Sequence, residues 1–355
     1  MAAVKSATGA RDYRASRRRR AGLTFAFLAV ALCAVMVLSA GLGQYNIPTD
    51  QVVASVGRRL GLAPENPAMQ LADSTLWNIR FPRVLLGVLV GAALGTSGAV
   101  MQSVFGNPLA EPGVIGVSSG AAVGACLSIV LNLQFFGIFT TPAFAFVGAL
   151  AATALVYFLS RSSGRAKVLS MILTGIAVTA VANAIIAFLM FIADTTSRDQ
   201  IVFWQMGSLQ DVRADALTQF ALVAVPCILL LLAMRWRINI LSLGDDEART
   251  LGINLTRTRG VTILLATLVT ATSVCIGGPI SWVGLVIPHL CRLLVGSDTT
   301  KLMPLSILMG ASFMMFVDTL ARSLTSAEVP LSVLTGFIGT PLYVALLLLG
   351  KVRVK

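Results

Sequence analysis

Charge is what this chain has least of. Only 12% of its 355 residues are Asp, Glu, Lys or Arg, where soluble domains carry about a quarter, so an aqueous surface cannot be built from it. Histidine occurs once, as His289, which leaves no histidine cluster for a metal. The five cysteines (Cys33, Cys126, Cys227, Cys275, Cys291) are odd in number and scattered. They have neither disulfide nor metal-ligand spacing and read as small apolar packing residues. No G-x-x-x-x-G-K-[ST] phosphate loop occurs, so the chain does not energise itself by hydrolysing ATP. No polar stretch is long enough for a soluble domain; the longest are the N-terminal tail and residues 43–79, 194–215 and 235–259.

What is present is hydrocarbon. The chain is 56% hydrophobic, with a mean hydropathy of +0.86, and runs of about 20 apolar residues span a bilayer. Ten apolar segments are legible, at 21–42, 82–105, 113–131, 142–160, 168–193, 216–234, 260–276, 281–295, 303–321 and 331–350. The expected class is an all-α polytopic membrane protein of about ten transmembrane helices. The eighth segment is short and holds Pro288, which puts its full crossing in question. Residues 1–20 read as a basic tail and 21–355 as one transmembrane domain. Four arginines before the first segment resemble a signal peptide, but Ala21–Ala40 is longer than a usual h-region, which favours a retained helix.

The net charge of +12 could suggest nucleic acid, but the basic residues stand in short clusters between apolar runs: Arg17–Arg20, Arg161–Lys167, Arg235–Arg237, Arg257–Arg259 and Lys351–Lys355. That is how orientation is written by the positive-inside rule, so lipid is the expected neighbour and nucleic acid is not. With Arg17–Arg20 on the cytoplasmic side, an even number of crossings returns the C-terminus there. Arg58, Arg59, Arg80 and Arg83 then fall outside, against the rule. Glycines recur at every fourth position in Gly87, Gly91, Gly95 and again in Gly116, Gly120, Gly124, a spacing that lets a second helix backbone approach closely.

Between two charge-free runs, Val84–Ala110 and Pro112–Ser160, lies "GNPLAEPGVIG" with a single carboxylate, Glu111. Pro108 and Pro112 end helices, and Asn107 can satisfy backbone groups that the break frees. Irregular backbone at membrane depth is tolerated only inside protein or along a watery cavity, so the stretch is either a turn at the interface or part of a gate. "LGDDEARTLGIN" reads as a short helix: Asp245, Asp246 and Glu247 suit a helix N-terminus and Gly252 is placed to end it. Such a helix could lie on the membrane surface or dock a partner.

Five ordered stretches carry a resemblance: Ile79–Ala121, "FWQMGSL" (Phe203–Leu209), "LSLGDDEARTLGI" (Leu241–Ile253), "GGPISWVGLVIPHLCRLLVG" (Gly277–Gly296) and "AEVPLSVLTGFIGTPLYVALLL" (Ala327–Leu348). Together they resemble the ABC-importer permeases that take up iron chelates, haem and cobalamin, the type II importer fold. The likeness runs from about residue 20 to the C-terminus. It implies a homodimer with the path on its two-fold axis, two copies of a separate ATPase that uses ATP and Mg²⁺, and an extracytoplasmic substrate-binding protein. This chain would bind no cofactor and have no catalytic residue, and its place would be the cytoplasmic membrane of a bacterium with both termini inside.

Carried over residue by residue, the resemblance makes Asn107, Pro108 and Leu109 a cytoplasmic gate. It makes residues 241–255 the coupling segment, with Leu243, Gly244, Ala248, Leu251 and Gly252 against the ATPase. Arg80, Arg83 and Arg322 would dock carboxylates of the binding protein, where snorkelling anchors are the plain alternative. Thr174, Thr179 and Asn183 would line the path. A second gate before the fifth helix reads "AKVLS", without the family's small hydroxyl pair, and is left unassigned. Asp318 and Glu328 bracket Arg322 near the outer end and read as its partners, not as proton sites. A proton-coupled secondary transporter would need acids or histidine at depth, which the segment cores lack; a channel or sensor would need a selectivity ring or signalling domain, and neither is visible. Haem ranks first as cargo, ferric siderophore second and cobalamin third.

Overall fold

Apolar segments in lipid become helices because no water is available to bond exposed backbone groups. In the computed structural model the described residues are 2–43, 45–64, 66–162, 168–210 and 214–349, with residues 2–20, 162 and 168 described as backbone only. They form α1 (Ala2–Gly41), α2 (Thr49–Arg59), α3 (Gln70–Thr75), α4 (Phe81–Phe105), α5 (Val117–Val130), α6 (Thr140–Ser162), α7 (Val168–Ile192), α8 (Thr195–Met206), α9 (Ala214–Leu241), α10 (Asp245–Thr250), α11 (Leu255–Gly277), α12 (Val283–Val295), α13 (Thr299–Ser323) and α14 (Leu331–Leu348). A π-helical turn, Leu76–Arg80, joins α3 to α4, and a 3-10 turn, Pro112–Ile115, precedes α5.

All ten apolar segments are helical. Among the described residues eight helices are long and apolar enough to cross a membrane; α5 and α12 are apolar but shorter. At 14 and 13 residues they are about 20 Å long, against a hydrocarbon core of about 30 Å. The doubt about the eighth segment therefore holds for its length. It extends to the third, whose first three residues wind into the 3-10 turn. Pro288 itself is no break, since α12 runs through it. The polar stretches 43–79 and 194–215, not read as helical, hold α2, α3 and α8.

The helices alternate in direction, so the connections fall at two ends. One end carries α10 and the stretch after α4; the other carries α2, α3 and α8. At the centre stands α4, buried along nearly its whole length and packed on α13, α9, α11 and α12. Its glycines permit this. A Cβ on Gly91 would collide with the Gly310 carbonyl, on Gly95 with the Ser306 carbonyl, and on Gly98 with the Gly284 carbonyl. Gly120 and Gly124 bring α5 against α6 in the same way, at the Gly148 and Phe144 carbonyls. Gly116 is different: it adopts φ +82° and starts α5 from the left-handed region, a conformation glycine reaches without strain. Both stripes thus serve packing within one bundle.

Candidate functional site

The stretch expected to form a gate begins where Gly106, at φ +58°, ends α4. Asn107 folds back so that its Oδ1 accepts a bond from the Leu109 backbone N–H at 2.9 Å, and its carbonyl accepts from Ala110 N–H at 3.1 Å. Proline on either side removes further donors, so the chain turns tightly here. Asn107 and Pro108 are half-buried and Leu109 is exposed. Asn107, Leu109 and Glu111 face Ile172, Ile176 and Thr179 of α7 across a cavity of about 450 Å³. The closest approach of this contact is at Gly175, where a Cβ would collide with the Val114 carbonyl. Among the described residues Glu111 is the cavity's only titratable side chain, and burial alone pushes its carboxyl above the usual carboxylate range. Neither Glu111's place in the cavity nor Gly175 was assigned from sequence, though a lone carboxylate between two charge-free runs was a signal.

On α7 the three expected path residues do not share a face. Thr179 lines the gate cavity and meets Ser119 Oγ at 3.2 Å. Asn183, one turn further, is exposed. Thr174 is half a turn from Asn183 at about 100° per residue, and lines instead an apolar groove of about 580 Å³ among α5, α6 and α7.

α10 is built as its sequence implies and held more firmly than expected. Gly244 takes φ +133° ahead of three acids in the first turn, and a Cβ there would collide with Glu247. The end is a Schellman motif: Ile253 N–H donates to the Ala248 carbonyl at 3.0 Å and Gly252 N–H to the Arg249 carbonyl at 2.9 Å. Arg259 of α11 grips Asp245 with two bonds, at 2.5 and 3.1 Å, and this bonding holds the Asp245 carboxyl below its ordinary range. Leu243 and Leu251 are 60% and 56% exposed, two apolar side chains on a charged segment. Ala248 corrects the expectation: it is fully buried and anchors α10 to its own bundle, so it offers no surface to a partner.

Arg80, Arg83 and Arg322 are the larger surprise. Arg83, 9% exposed, binds both Glu328 oxygens at 2.8 Å and Asp318 Oδ1 at 2.9 and 3.1 Å. Arg322 Nε holds the other Asp318 oxygen at 3.1 Å, while its Nη2 reaches Ser39 Oγ at 2.7 Å. Arg80, 7% exposed, donates to the carbonyls of Ala40 and Gly41 at 2.6 and 2.7 Å and to that of Tyr45. The last carbonyls of a helix lack intrahelical partners and favour a cation, so Arg80 and Arg322 cap α1 while Arg83 joins α4 to α13. Asp318 pairs with Arg322 as expected, but Glu328 does not: both of its oxygens go to Arg83, the partner that sequence did not supply. All three guanidinium groups are engaged within the chain, which leaves no open carboxylate-binding face among them. His289 is buried and lies edge-on to Tyr343 with centroids 6.4 Å apart. Ala166 and Lys167 of the unassigned second gate, with 163–165 and the cluster Lys351–Lys355, lie outside the described residues.

A family model described as the FecCD transport family matches residues 31–349. The molybdate import system permease protein MolB of Haemophilus influenzae is 37% identical over 89% of this chain and 92% of its own length. The hemin transport system permease protein HmuU of Yersinia pestis is 38% identical over 79% and 89%. A solved structure described as an inward-facing conformation of a metal-chelate type ABC transporter superposes with a TM-score of 0.80 at 36% identity, covering 91% of this chain and 98% of the other.

Proposed function

We infer the role of this chain from one premise: it belongs to the FecCD transport family. It is a multi-pass permease subunit of an ABC importer, a transport component and not an enzyme, and the family implies an ATPase and a substrate-binding partner. We propose that two copies assemble about a two-fold axis in the cytoplasmic membrane, with the α10 end inside. Two ATPase subunits, which handle ATP and Mg²⁺, dock on α10 through Leu243 and Leu251 beside Gly244 and Gly252. The binding protein docks at the opposite end, where Arg80, Arg83 and Arg322 frame the mouth instead of forming its contact surface.

The observation that carries this reading is a juxtaposition at one end of the bundle. The proline-broken stretch Asn107–Leu109 stands over a cavity against α7, and α10 presents two exposed leucines at that same end. A force applied to α10 passes through Ala248 into the bundle, and Gly175 joins α7 to the gate stretch. Opening then needs a shift of α7 against residues 107–114, with Thr179 and Asn183 on the path.

For cargo, haem stays first on the resemblance of Asn107–Ala125, and a hemin permease stands among relatives of 37–39% identity that also carry other cargoes. Ferric siderophore and cobalamin follow, and the similarity to a molybdate permease adds an oxyanion as a further alternative. The test is ATPase activity and uptake by the reconstituted permease–ATPase complex with its binding protein carrying haem, ferric siderophore, cobalamin or molybdate. Stimulation by loaded binding protein with matching uptake is expected, haem giving the largest effect. Uptake driven by a proton gradient without ATP would overturn the importer reading, and stimulation by molybdate alone would overturn the haem assignment.

A further inference from the structure

Arg58 and Arg59 contradict the charge pattern of the other loops, and the gate, the coupling helix and the arginine network make no use of them. They stand in a polar basin of about 570 Å³ between α2 and α3, with Ser55, Gln70, Asp73 and Trp77. Asp73 takes Arg58 in a bidentate pair at 2.6 and 2.8 Å. Arg59 has no carboxylate among the described residues; its guanidinium lies over the Trp77 ring, 5.4 Å from the centroid, and it is exposed. Trp77 is fixed in turn by a 3.2 Å bond from Nε1 to Ser55 Oγ. Among the described residues the basin therefore holds two guanidinium groups against one carboxylate, with the uncompensated one oriented by an aromatic ring.

Its surroundings are apolar. Val53 and Val56 of α2 and Leu60 just past its end are exposed, as are Leu62, Leu71 and Ile79. The first three fall at i, i+3 and i+7, one helical face, while Val52 and Ser55 on another face are buried. A short helix with an exposed apolar face and arginine at its edge lies in the membrane interface and attracts anionic lipid, and tryptophan is enriched at that level. The rod Pro67–Phe105 has 39 residues, about 58 Å of helix against a hydrocarbon core of about 30 Å, so its first turns stand in or above the headgroup layer.

We propose that this basin binds the phosphate headgroup of an anionic phospholipid of the outer leaflet, with Arg59 as the principal ligand. Arg58, held by Asp73, shapes the site and adds a second positive edge, while the acyl chains lie along the apolar residues around it. Two arginines on the translocated side are then explained by a ligand there instead of by orientation. The surrounding apolar residues favour lipid over the soluble binding protein, which meets the same end of the molecule.

The experiment uses the full chain purified in detergent and equilibrated with vesicles of equal phosphatidylglycerol and phosphatidylcholine, with retained lipid measured by native mass spectrometry. Phosphatidylglycerol should be retained about fivefold over phosphatidylcholine, the factor one arginine near an anionic surface supplies. Arg59→Gln should bring the two close to parity, and Arg59→Lys should keep most of the preference. Equal retention by the unaltered chain overturns the proposal, as does an unchanged preference in Arg59→Gln. Displacement of phosphatidylglycerol by inorganic phosphate at equal concentration marks a free-anion site and overturns the lipid assignment. If Arg59→Gln weakens capture of the binding protein while lipid preference stays intact, the surface belongs to the soluble partner. Thermal melts of both variants separate lost binding from lost folding.

Discussion

Arg83 holds two carboxylates inside the end of the bundle, one of them, Asp318, fully buried. Removing one partner of a buried pair costs about 3–5 kcal/mol, because the remaining charge is left without compensation. Arg83→Leu leaves Glu328 without an arginine and Asp318 with Arg322 alone, so it should lower the melting temperature in detergent by several degrees. Arg59→Gln, at an exposed position, should not. A drop of similar size in both would mean that the network contributes no more than a surface charge. Glu111 yields a second prediction with a definite sign. Its carboxyl titrates above the ordinary range in the folded chain, so between its unfolded and folded values the native state binds more protons. Stability then falls as pH rises through that window, and Glu111→Gln should remove this slope. Asp245 contributes the opposite slope through its bond with Arg259, which is present in both proteins and cancels in the difference between their melting curves. Identical pH profiles would show that Glu111 is solvated after all. At this scale the sequence was legible where partners are local, as in the Asn107 turn onto Leu109. It was not legible where Arg83 meets residues 235 and 245 positions away, because no periodicity encodes a contact between α4 and the end of α13.

Elements were more readable than their partners. Gly252 and the three leading acids mark both ends of α10, and the Schellman bonds follow from the glycine. The sequence could not separate the residue facing the bundle from those facing away, since a six-residue helix has too few turns for a pattern. Ala248 therefore looked like a contact residue, and its burial reverses that role. The distinction is testable. Leu251→Asp and Leu243→Asp replace exposed side chains and should change stability by no more than about 0.5 kcal/mol. They should nevertheless abolish most of the ATPase stimulation by loaded binding protein, measured in the reconstituted complex. Ala248→Leu should behave in the reverse order, with overpacking of about 1–3 kcal/mol appearing first as a lower melting temperature. If Leu251→Asp couples normally, α10 is not the docking element. The short reach of α5 is the other feature of this scale that sequence concealed. Its apolar run is long enough to cross, but Gly116 in the left-handed region and the 3-10 turn before it divide the run, and hydropathy does not register φ.

For the whole molecule, the ten apolar segments locate the eight candidate spans of the described residues, and the glycine stripes marked α4 and α5 for close packing without indicating α13 and α6 as the partners. Which helices surround the passage was not legible, because a helix facing lipid and one facing a partner copy share the same apolar composition. α7 is the informative case. Among its described side chains only a narrow stripe (Met171, Gly175, Ala182, Ile186 and Leu189) is buried. The exposed remainder includes Asn183, about 22 Å from the helix start at 1.5 Å per residue and so well inside the hydrocarbon layer. An exposed amide at that depth is unfavourable against lipid tails and is expected to face a watery cavity or another helix. The proposed passage supplies that water. In a background with the native cysteines replaced, Asn183→Cys should react with a membrane-impermeant maleimide, and loaded binding protein with ATP should change its rate. A second protein that keeps Cys33, the exposed native thiol on α1, as its single cysteine is the control in the same assay: on the periphery of the bundle it faces lipid and should react only with a permeant reagent. If Asn183→Cys labels like Cys33, α7 faces lipid, and the passage must be sought along another face of the bundle.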